Sequence, residues 1–274
     1  MLRRLIFAPA LAMALAFAAP AHAERFALEY DGHAFGVAPV GKVMFDFTID
    51  GEGYDVVSTV RSGGVLKMVG KQDVTGKSEG VIASGLPRRT SYVTTTETKR
   101  KTRTTTMTRN GEAVSVDVQP HYGGLGDPPA SETQKRAAYD PLNVFMAMGM
   151  QAQRTKTCAG RFPTFDGRYY YELVLSPDAG IQNVKEGGYN GPVLKCKMKQ
   201  VPIAGYDAEQ KAEQKANPPN GALWFALVKD AQIAPPIRML LPVPATKVNL
   251  TLSAWRSSNV KVDAEVEKPP ENPG

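Results

Sequence analysis

Alternation of apolar and polar residues restricts the fold of this chain more than any other feature of its sequence. Apolar residues occupy every second position of residues 26–30 and again of residues 43–49. A period of two is typical of a β-strand with one buried face. Segments of the same type continue to Val118 and resume after Cys158. The sequence therefore predicts a mainly β protein.

Two turn motifs predict β-hairpins. Residues 50–53, Asp-Gly-Glu-Gly, separate two strand-like segments. Asn110-Gly111 suits the type I′ turn, and a two-residue loop there pairs Met107 with Val114. Both faces of residues 94–103 are polar. This end of the hairpin either projects beyond the core or lines a wet cavity.

One long helix is predicted to begin at Asp140-Pro141, with Asp as the N-cap and Pro at the first helical position. It should end near Arg154 and pack one apolar face on the sheet. That face consists of Leu142, Phe145, Met146 and Gly149. The predicted fold is a strongly curved antiparallel sheet, or an open barrel-like sheet, with this helix packed on it. We expect a long surface loop at residues 119–139, and an exposed helix or mobile insert at residues 207–216.

The N-terminus has the three parts of a secretory signal peptide. Arg3 and Arg4 precede an apolar run at residues 5–19, and residues 21–23, Ala-His-Ala, suit cleavage after Ala23. The run is shorter than the roughly 20 residues of a membrane-spanning helix. The alternative is a retained membrane anchor, but no later segment is apolar enough to span. We expect a periplasmic protein with one β-rich domain at residues 24–260 and a disordered tail at residues 261–274.

Charge and cysteine content narrow the function further. The formal net charge is +6, or +4 without Arg3 and Arg4, which is too small for a nucleic-acid-binding surface. Cys158 and Cys196 are the two cysteines. In an oxidising compartment such a pair most simply forms a disulfide. The alternative is two free thiols with one nucleophile, although neither cysteine lies in an activating motif.

Residues with catalytic or metal-binding chemistry are few. His33 and His121 lie far apart in sequence, and no phosphate-binding loop or Gly-x-Ser-x-Gly motif is present. Met146, Met148 and Met150 could bind copper, but core packing is the simpler interpretation. Asp166 could form an acid–base pair with Glu172, or simply belong to a turn. We predict no cofactor and no metal site.

The most plausible contact surface is basic. It comprises Arg88, Arg89, Lys99, Arg100, Lys101 and Arg103. Such residues attract anionic lipid headgroups and acidic glycans. The alternative is a solvated strand edge whose lysines prevent aggregation. Phe145 and Met146 are predicted to lie near an apolar pocket.

An ordered set of motifs resembles the exported bacterial family called domain of unknown function 3108. The motifs are Tyr30-Asp31-Gly32, Gly85-Leu86-Pro87, Asp140-Pro141-Leu142-Asn143, Phe165-Asp166-Gly167-Arg168, Tyr189-Asn190-Gly191-Pro192 and Pro202-Ile203-Ala204-Gly205-Tyr206. The resemblance spans roughly residues 30–255. It implies an envelope protein with paired cysteines at Cys158 and Cys196, and no agreed activity. This chain departs by having Asn143 where Ser is usual and a Thr-rich strand at residues 94–108.

These observations favour a non-enzymatic periplasmic envelope protein. It would bind a lipid, a glycan or an envelope-protein partner through the concave sheet or the basic hairpin. One alternative is an envelope hydrolase using Asp166, Glu172 or His121. Another is a structural scaffold without a ligand.

Overall fold

The computed structural model describes residues 23–64, 72–243 and 246–258. The strands are β1 (Glu24–Ala34), β2 (Ala38–Asp50), β3 (Gly53–Ser62), β4 (Gln72–Ala83), β5 (Leu86–Thr98), β6 (Thr102–Asn110), β7 (Ala113–Gln119), β8 (Gly160–Phe165), β9 (Tyr170–Glu186), β10 (Tyr189–Ala204), β11 (Asn220–Ala226), β12 (Pro236–Val243) and β13 (Thr246–Ser258). The helices are α1 (Glu132–Ala137), α2 (Asn143–Thr155) and α3 (Ala208–Ala216). The predicted tail and the signal peptide up to His22 lie outside the described residues.

All thirteen strands belong to one antiparallel sheet. Its order is β7-β6-β5-β4-β3-β2-β1-β13-β12-β11-β10-β9-β8, so β1 lies in the middle between β2 and β13. The edge strands β7 and β8 both contact α1, which requires the sheet to curl. The backbone of Tyr139 also bonds to β8, donating to Pro163 O and accepting from Phe165 N. The prediction of an open, barrel-like antiparallel sheet is confirmed.

The predicted strand faces are confirmed where the alternation was clearest. Phe26, Leu28 and Tyr30 are buried, and so are the alternating residues Val43, Phe45, Phe47 and Ile49 of β2. The first hairpin turns at Gly51 and Glu52, as predicted. Burial of these alternating side chains removes apolar area from water along the whole inner face of the sheet, at roughly 25 cal/mol per Å².

The second hairpin differs from the prediction by two residues. Asn110 pairs with Ala113 and Met107 with Val116, so Gly111 and Glu112 form the turn instead of Asn110 and Gly111. Gly111 takes the positive φ of 58° that the turn requires. A shift of two leaves every side chain on its predicted face, because the strand period is also two. The core contacts of Val114 and Val118 are therefore retained.

The prediction of one long helix was wrong in number, length and environment. Three short helices are described, and α2 begins at Asn143, after a turn at Pro141 and Leu142. Eight of its 13 residues are buried, and they lie on more than one face, because the curled sheet encloses α2 instead of supporting one face. Gly149 allows close approach, since a Cβ there would lie 2.5 Å from Ala234 O.

Each of the two other helices is preceded by an N-cap residue that exchanges hydrogen bonds with the residue three positions later. In α1 these residues are Ser131 and Gln134, and in α3 they are Asp207 and Gln210. The Ser-x-x-Gln signal for α1 was present in the predicted loop at residues 119–139 and was missed. Helix α3 is exposed, which agrees with the first alternative for residues 207–216. In the portion of the chain covered by the structure, no helix has the length and hydropathy to cross a membrane.

Cys158 and Cys196 form a disulfide, as predicted. Cys158 follows the end of α2, and Cys196 lies in β10 with its side chain inside the sheet. The bond therefore holds the C-terminal end of α2 against the sheet. A pair separated by 38 residues restricts the unfolded chain, and the chain-entropy relation gives about 4 kcal/mol of stabilisation.

Removal of this disulfide should lower the free energy of unfolding by about 4 kcal/mol. The test is urea denaturation of the oxidised protein, the reduced protein and a Cys158→Ser, Cys196→Ser double variant. The reduced protein and the double variant should unfold at the same lower urea concentration. Equal midpoints for all three samples would contradict a stabilising bond.

Candidate functional site

A buried polar cluster lies where α2 begins. The Asp140 carboxylate is fully buried, and its Oδ1 accepts hydrogen bonds from Leu142 N and Asn143 N, both at 2.9 Å. Its Oδ2 accepts from Ser78 Oγ of β4 at 2.7 Å. One carboxylate thus satisfies free N–H groups of the helix start and joins them to the sheet.

Asn143 completes the cluster with both ends of its amide. Its Oδ1 accepts from Asp140 N at 2.8 Å, while Nδ2 donates to the Tyr54 hydroxyl at 2.9 Å. A serine at this position would have a single hydroxyl for these two roles. Asn143 therefore links the helix start to β3 directly.

Burial dominates the electrostatics of this cluster. It raises the pKa of Asp140, although the backbone N–H of Asn143 and the charge of Arg89 act in the opposite direction. Burial also raises the pKa of Tyr54, and the nearby Asp140 carboxylate adds to this effect. The cluster is therefore desolvated, and nearby charges alter the pKa values of its side chains.

Arg88 and Arg89 point to opposite faces of β5, as consecutive strand residues do, and a β-bulge follows them. Glu79 pairs with Ser91 but Gly80 pairs with Arg89, which leaves Thr90 as an extra residue. Arg89 is therefore turned into the sheet interior, where it is only 3% exposed, while Arg88 is exposed. The prediction that these residues form one basic surface with the hairpin is wrong.

The other residues of the predicted basic surface do not lie together either. Lys99, Arg100 and Lys101 are exposed in the β5–β6 turn, about 30 Å along β5 from Arg88. Arg103 instead crosses to the segment after β7, where it donates to Pro120 O at 3.1 Å and His121 O at 3.4 Å. Its guanidinium lies 4.1 Å from the centre of the Tyr122 ring.

A cavity of about 300 Å³ lies beside this contact, between β7 and the β8–β9 turn. We call it the Tyr122 cleft. Its lining comprises Val116, Val118, His121, Tyr122, Leu125, Pro129, Ala130, Lys135, Phe165, Gly167 and Arg168. The lining is mostly apolar, and its charged members, Lys135 and Arg168, are both cationic.

Cations converge on the aromatic ring of the cleft. The Arg168 guanidinium lies 5.4 Å from the centre of Tyr122 and 4.8 Å from that of Tyr169. Arg168 Nε is buried without a hydrogen-bond partner in the described part of the chain. Lys135 pairs with Glu132 of its own helix. Tyr122, Lys135 and Arg168 were not predicted as site residues, because they lie in three segments that meet only when the sheet curls.

The placement of Phe145 and Met146 near an apolar pocket stays a prediction, and neither residue lines the Tyr122 cleft. Met146 is completely buried, and Phe145 packs 5.8 Å from the Phe45 ring. Met148 and Met150 are buried in the same core. The centre of the concave face is therefore filled by α2, and contacts with a ligand must come from its margins.

The three residues considered for acid–base chemistry have other partners. Asp166 Oδ1 accepts from Arg168 N at 2.9 Å and Tyr169 N at 2.7 Å, so the carboxylate stabilises its own turn. Glu172 forms an ion pair with Arg161. His121 is exposed in the loop after β7. Within the described ranges, no hydrogen bond joins any two of Asp166, Glu172 and His121.

A larger, open groove of about 1140 Å³ lies beside α3 and the β1–β2 turn. Trp224, Leu240 and Phe35 contribute to its lining. The ring of Trp224 is already approached by Lys195 and Arg238 at 5.2 and 5.6 Å. The Tyr122 cleft is smaller but more enclosed, and its charge is of one sign.

The raised pKa of Asp140 predicts a specific pH dependence. The folded protein takes up this proton at a higher pH than the unfolded chain, whose Asp has the ordinary value of 3.8. The free energy of unfolding of the wild type, relative to Asp140→Asn, should therefore increase as the pH falls from 7 to about 4. Urea denaturation of the wild type and of Asp140→Asn across this pH range measures the difference between their free energies of unfolding. Asp117→Asn, which changes an exposed carboxylate of β7, is the control. A difference that shrinks toward low pH would contradict the raised pKa.

Comparison with known proteins places the chain within a family. Residues 29–245 match the model of the family described as "Protein of unknown function (DUF3108)". No curated protein matches the sequence. The crystal structure of a "Beta-barrel-like Protein of Domain of Unknown Function DUF1849 from Brucella abortus" is similar, with a TM-score of 0.55 and 9% identity, over 88% of this chain and 100% of that chain. This likeness concerns the fold alone. Because the family match spans most of the sequence, the chain belongs to the DUF3108 family.

Proposed function

We propose that this protein is a non-enzymatic binding protein of the bacterial periplasm that holds an anionic lipid in the Tyr122 cleft. The single observation that carries the proposal is the convergence of Arg103 and Arg168 on Tyr122 at the mouth of an apolar cavity. Ligand sites typically combine an apolar lining with a few placed polar groups. This cleft has that composition.

The chemistry of the lining indicates the class of ligand. Val116, Val118, Leu125 and Phe165 offer an apolar surface for an acyl chain. Lys135 and Arg168 offer positive charge for a phosphate or carboxylate headgroup. An acidic glycan would use the cations but would gain little from the aliphatic residues. The lining therefore favours a lipid over a glycan.

The periplasmic location in this proposal has two supports. One is the signal-peptide pattern of residues 1–23. The other is the disulfide between Cys158 and Cys196, because disulfides persist in oxidising compartments. An exported protein of a cell envelope meets anionic lipids on both sides of the periplasm.

Binding to vesicles of phosphatidylglycerol and phosphatidylcholine tests the cleft. Two cations contribute about 1 kcal/mol each near an anionic surface, so Lys135→Gln with Arg168→Gln should weaken binding about thirtyfold. The matched control is Lys99→Gln with Lys101→Gln, which removes the same charge from the exposed hairpin and should change affinity about threefold or less. The reverse ranking would assign binding to the basic hairpin and contradict the cleft.

Native mass spectrometry of protein purified gently from the periplasm provides an independent test. The wild type should retain a lipid mass that Tyr122→Ala loses, because the ring organises both guanidinium groups. Circular dichroism would confirm that the variant is folded. An identical co-purified mass in wild type and variant would contradict binding at Tyr122, and wild type without added mass would favour a scaffold.

A further inference from the structure

The interior of the sheet contains a guanidinium group without a partner. Arg89 Nε, Nη1 and Nη2 are all buried, and none has a hydrogen bond within the described residues. An Arg side chain stays charged at neutral pH even when burial lowers its pKa, as it does here. Burial of an uncompensated charge costs several kcal/mol. Arg89 therefore requires a partner that the described residues do not supply.

The nearest carboxylate is already committed. Asp140 acts on Arg89 through its charge, but its two oxygens accept from Ser78 and from the backbone of Leu142 and Asn143. Arg89 is thus close enough to Asp140 for attraction, yet it makes no hydrogen bond to it. The carboxylate compensates part of the charge and satisfies none of the three N–H groups of Arg89.

A second arginine adds to the imbalance. Arg109 of β6 lies beside the bulge, because its neighbour Thr108 pairs with Ser91. Its Nη2 donates to Arg136 O, while its buried Nε has no partner in the described chain. The charges of Arg109 and Arg89 repel each other. The half-buried Arg109 therefore adds positive charge beside the buried Arg89.

Two buried phenols also lie close to Arg89. Tyr54 and Tyr92 act on Arg89, and burial raises the pKa of both, which keeps them protonated at neutral pH. The Asp166 carboxylate in turn acts on Tyr92. The position is also tight, since Gly80 pairs with Arg89 and a Cβ on Gly80 would lie 2.8 Å from Tyr54 Cε1. Only a small ligand suits such a position.

We propose that Arg89 and Arg109 form an internal binding site for a small oxyanion, either a phosphate or a carboxylate. The planar fork of a guanidinium matches two oxygens of such an anion, which a chloride ion cannot do. The anion would accept from the free N–H groups of both arginines and offset the charge of the buried Arg89. This site is separate from the Tyr122 cleft and does not depend on the function proposed for the cleft.

Thermal unfolding in increasing inorganic phosphate, at constant ionic strength, tests the site. A ligand that binds only the folded state raises its stability. At a phosphate concentration a hundred times the Kd, the midpoint should rise by about 5 to 10 °C. Acetate should act in the same direction if a carboxylate fits, whereas chloride should have no effect. Midpoints that do not respond to phosphate or acetate would overturn the proposal.

Variants at Arg89 and Arg168 show which arginine is responsible for the phosphate response. Arg89→Met removes the buried charge and keeps an unbranched chain, so it should abolish the phosphate response without lowering the midpoint measured in chloride. Arg168→Gln in the Tyr122 cleft is the control and should keep the full response. A response lost in Arg168→Gln but kept in Arg89→Met would overturn the internal site and assign the anion to the cleft.

A conservative variant separates anion binding from folding. Arg89→Lys keeps the charge but loses the fork, so its phosphate response should fall at least tenfold in affinity. If Arg89→Met does not fold, this variant and the wild-type titration still decide the question. Equal phosphate affinity in wild type and Arg89→Lys would contradict recognition by the guanidinium.

Discussion

The enclosure of α2 by the curled sheet is the constraint on which the rest of the structure depends. At its first turn the helix is joined to β4 and β3 through Asp140 and Asn143, and beyond its last turn the disulfide of Cys158 joins it to β10. Between these points the side chains of α2 fill the interior of the sheet. Because the helix fills the centre, the edges β7 and β8 stay apart, and the Tyr122 cleft forms in the gap between them.

Strand faces could be predicted from the sequence because burial on one side of a strand imposes a period of two. This was sufficient for Phe26, Phe45 and Phe47, which all face the core. The predicted strand faces are also correct in the β6–β7 hairpin, since an error of two residues in the pairing leaves each side chain on the same face. The burial of α2 was not predictable in the same way. Val144 and Met148 lie outside the predicted apolar face, and they are buried because the curled sheet surrounds the helix.

The candidate sites depend on features that periodicity does not contain. A single extra residue, Thr90, inverts the orientation of Arg89, and no local signal in a run of polar residues marks a bulge. The cleft joins Tyr122 and Arg168 across the gap between two sheet edges. The sequence indicated a basic region and a long surface loop, but the partners of each charge are set by tertiary contacts alone.

The position of β1 has a consequence for how the molecule reaches its native state. Arg25 near the start of β1 pairs with Ser258 at the end of β13, so the first strand and the last are neighbours. While the ribosome is still synthesising the chain, one side of β1 has no native strand to bond with. An unsatisfied strand edge recruits other chains. Nascent molecules that remain extended until translation ends would avoid this hazard, whereas premature termination before β13 would produce an aggregation-prone fragment.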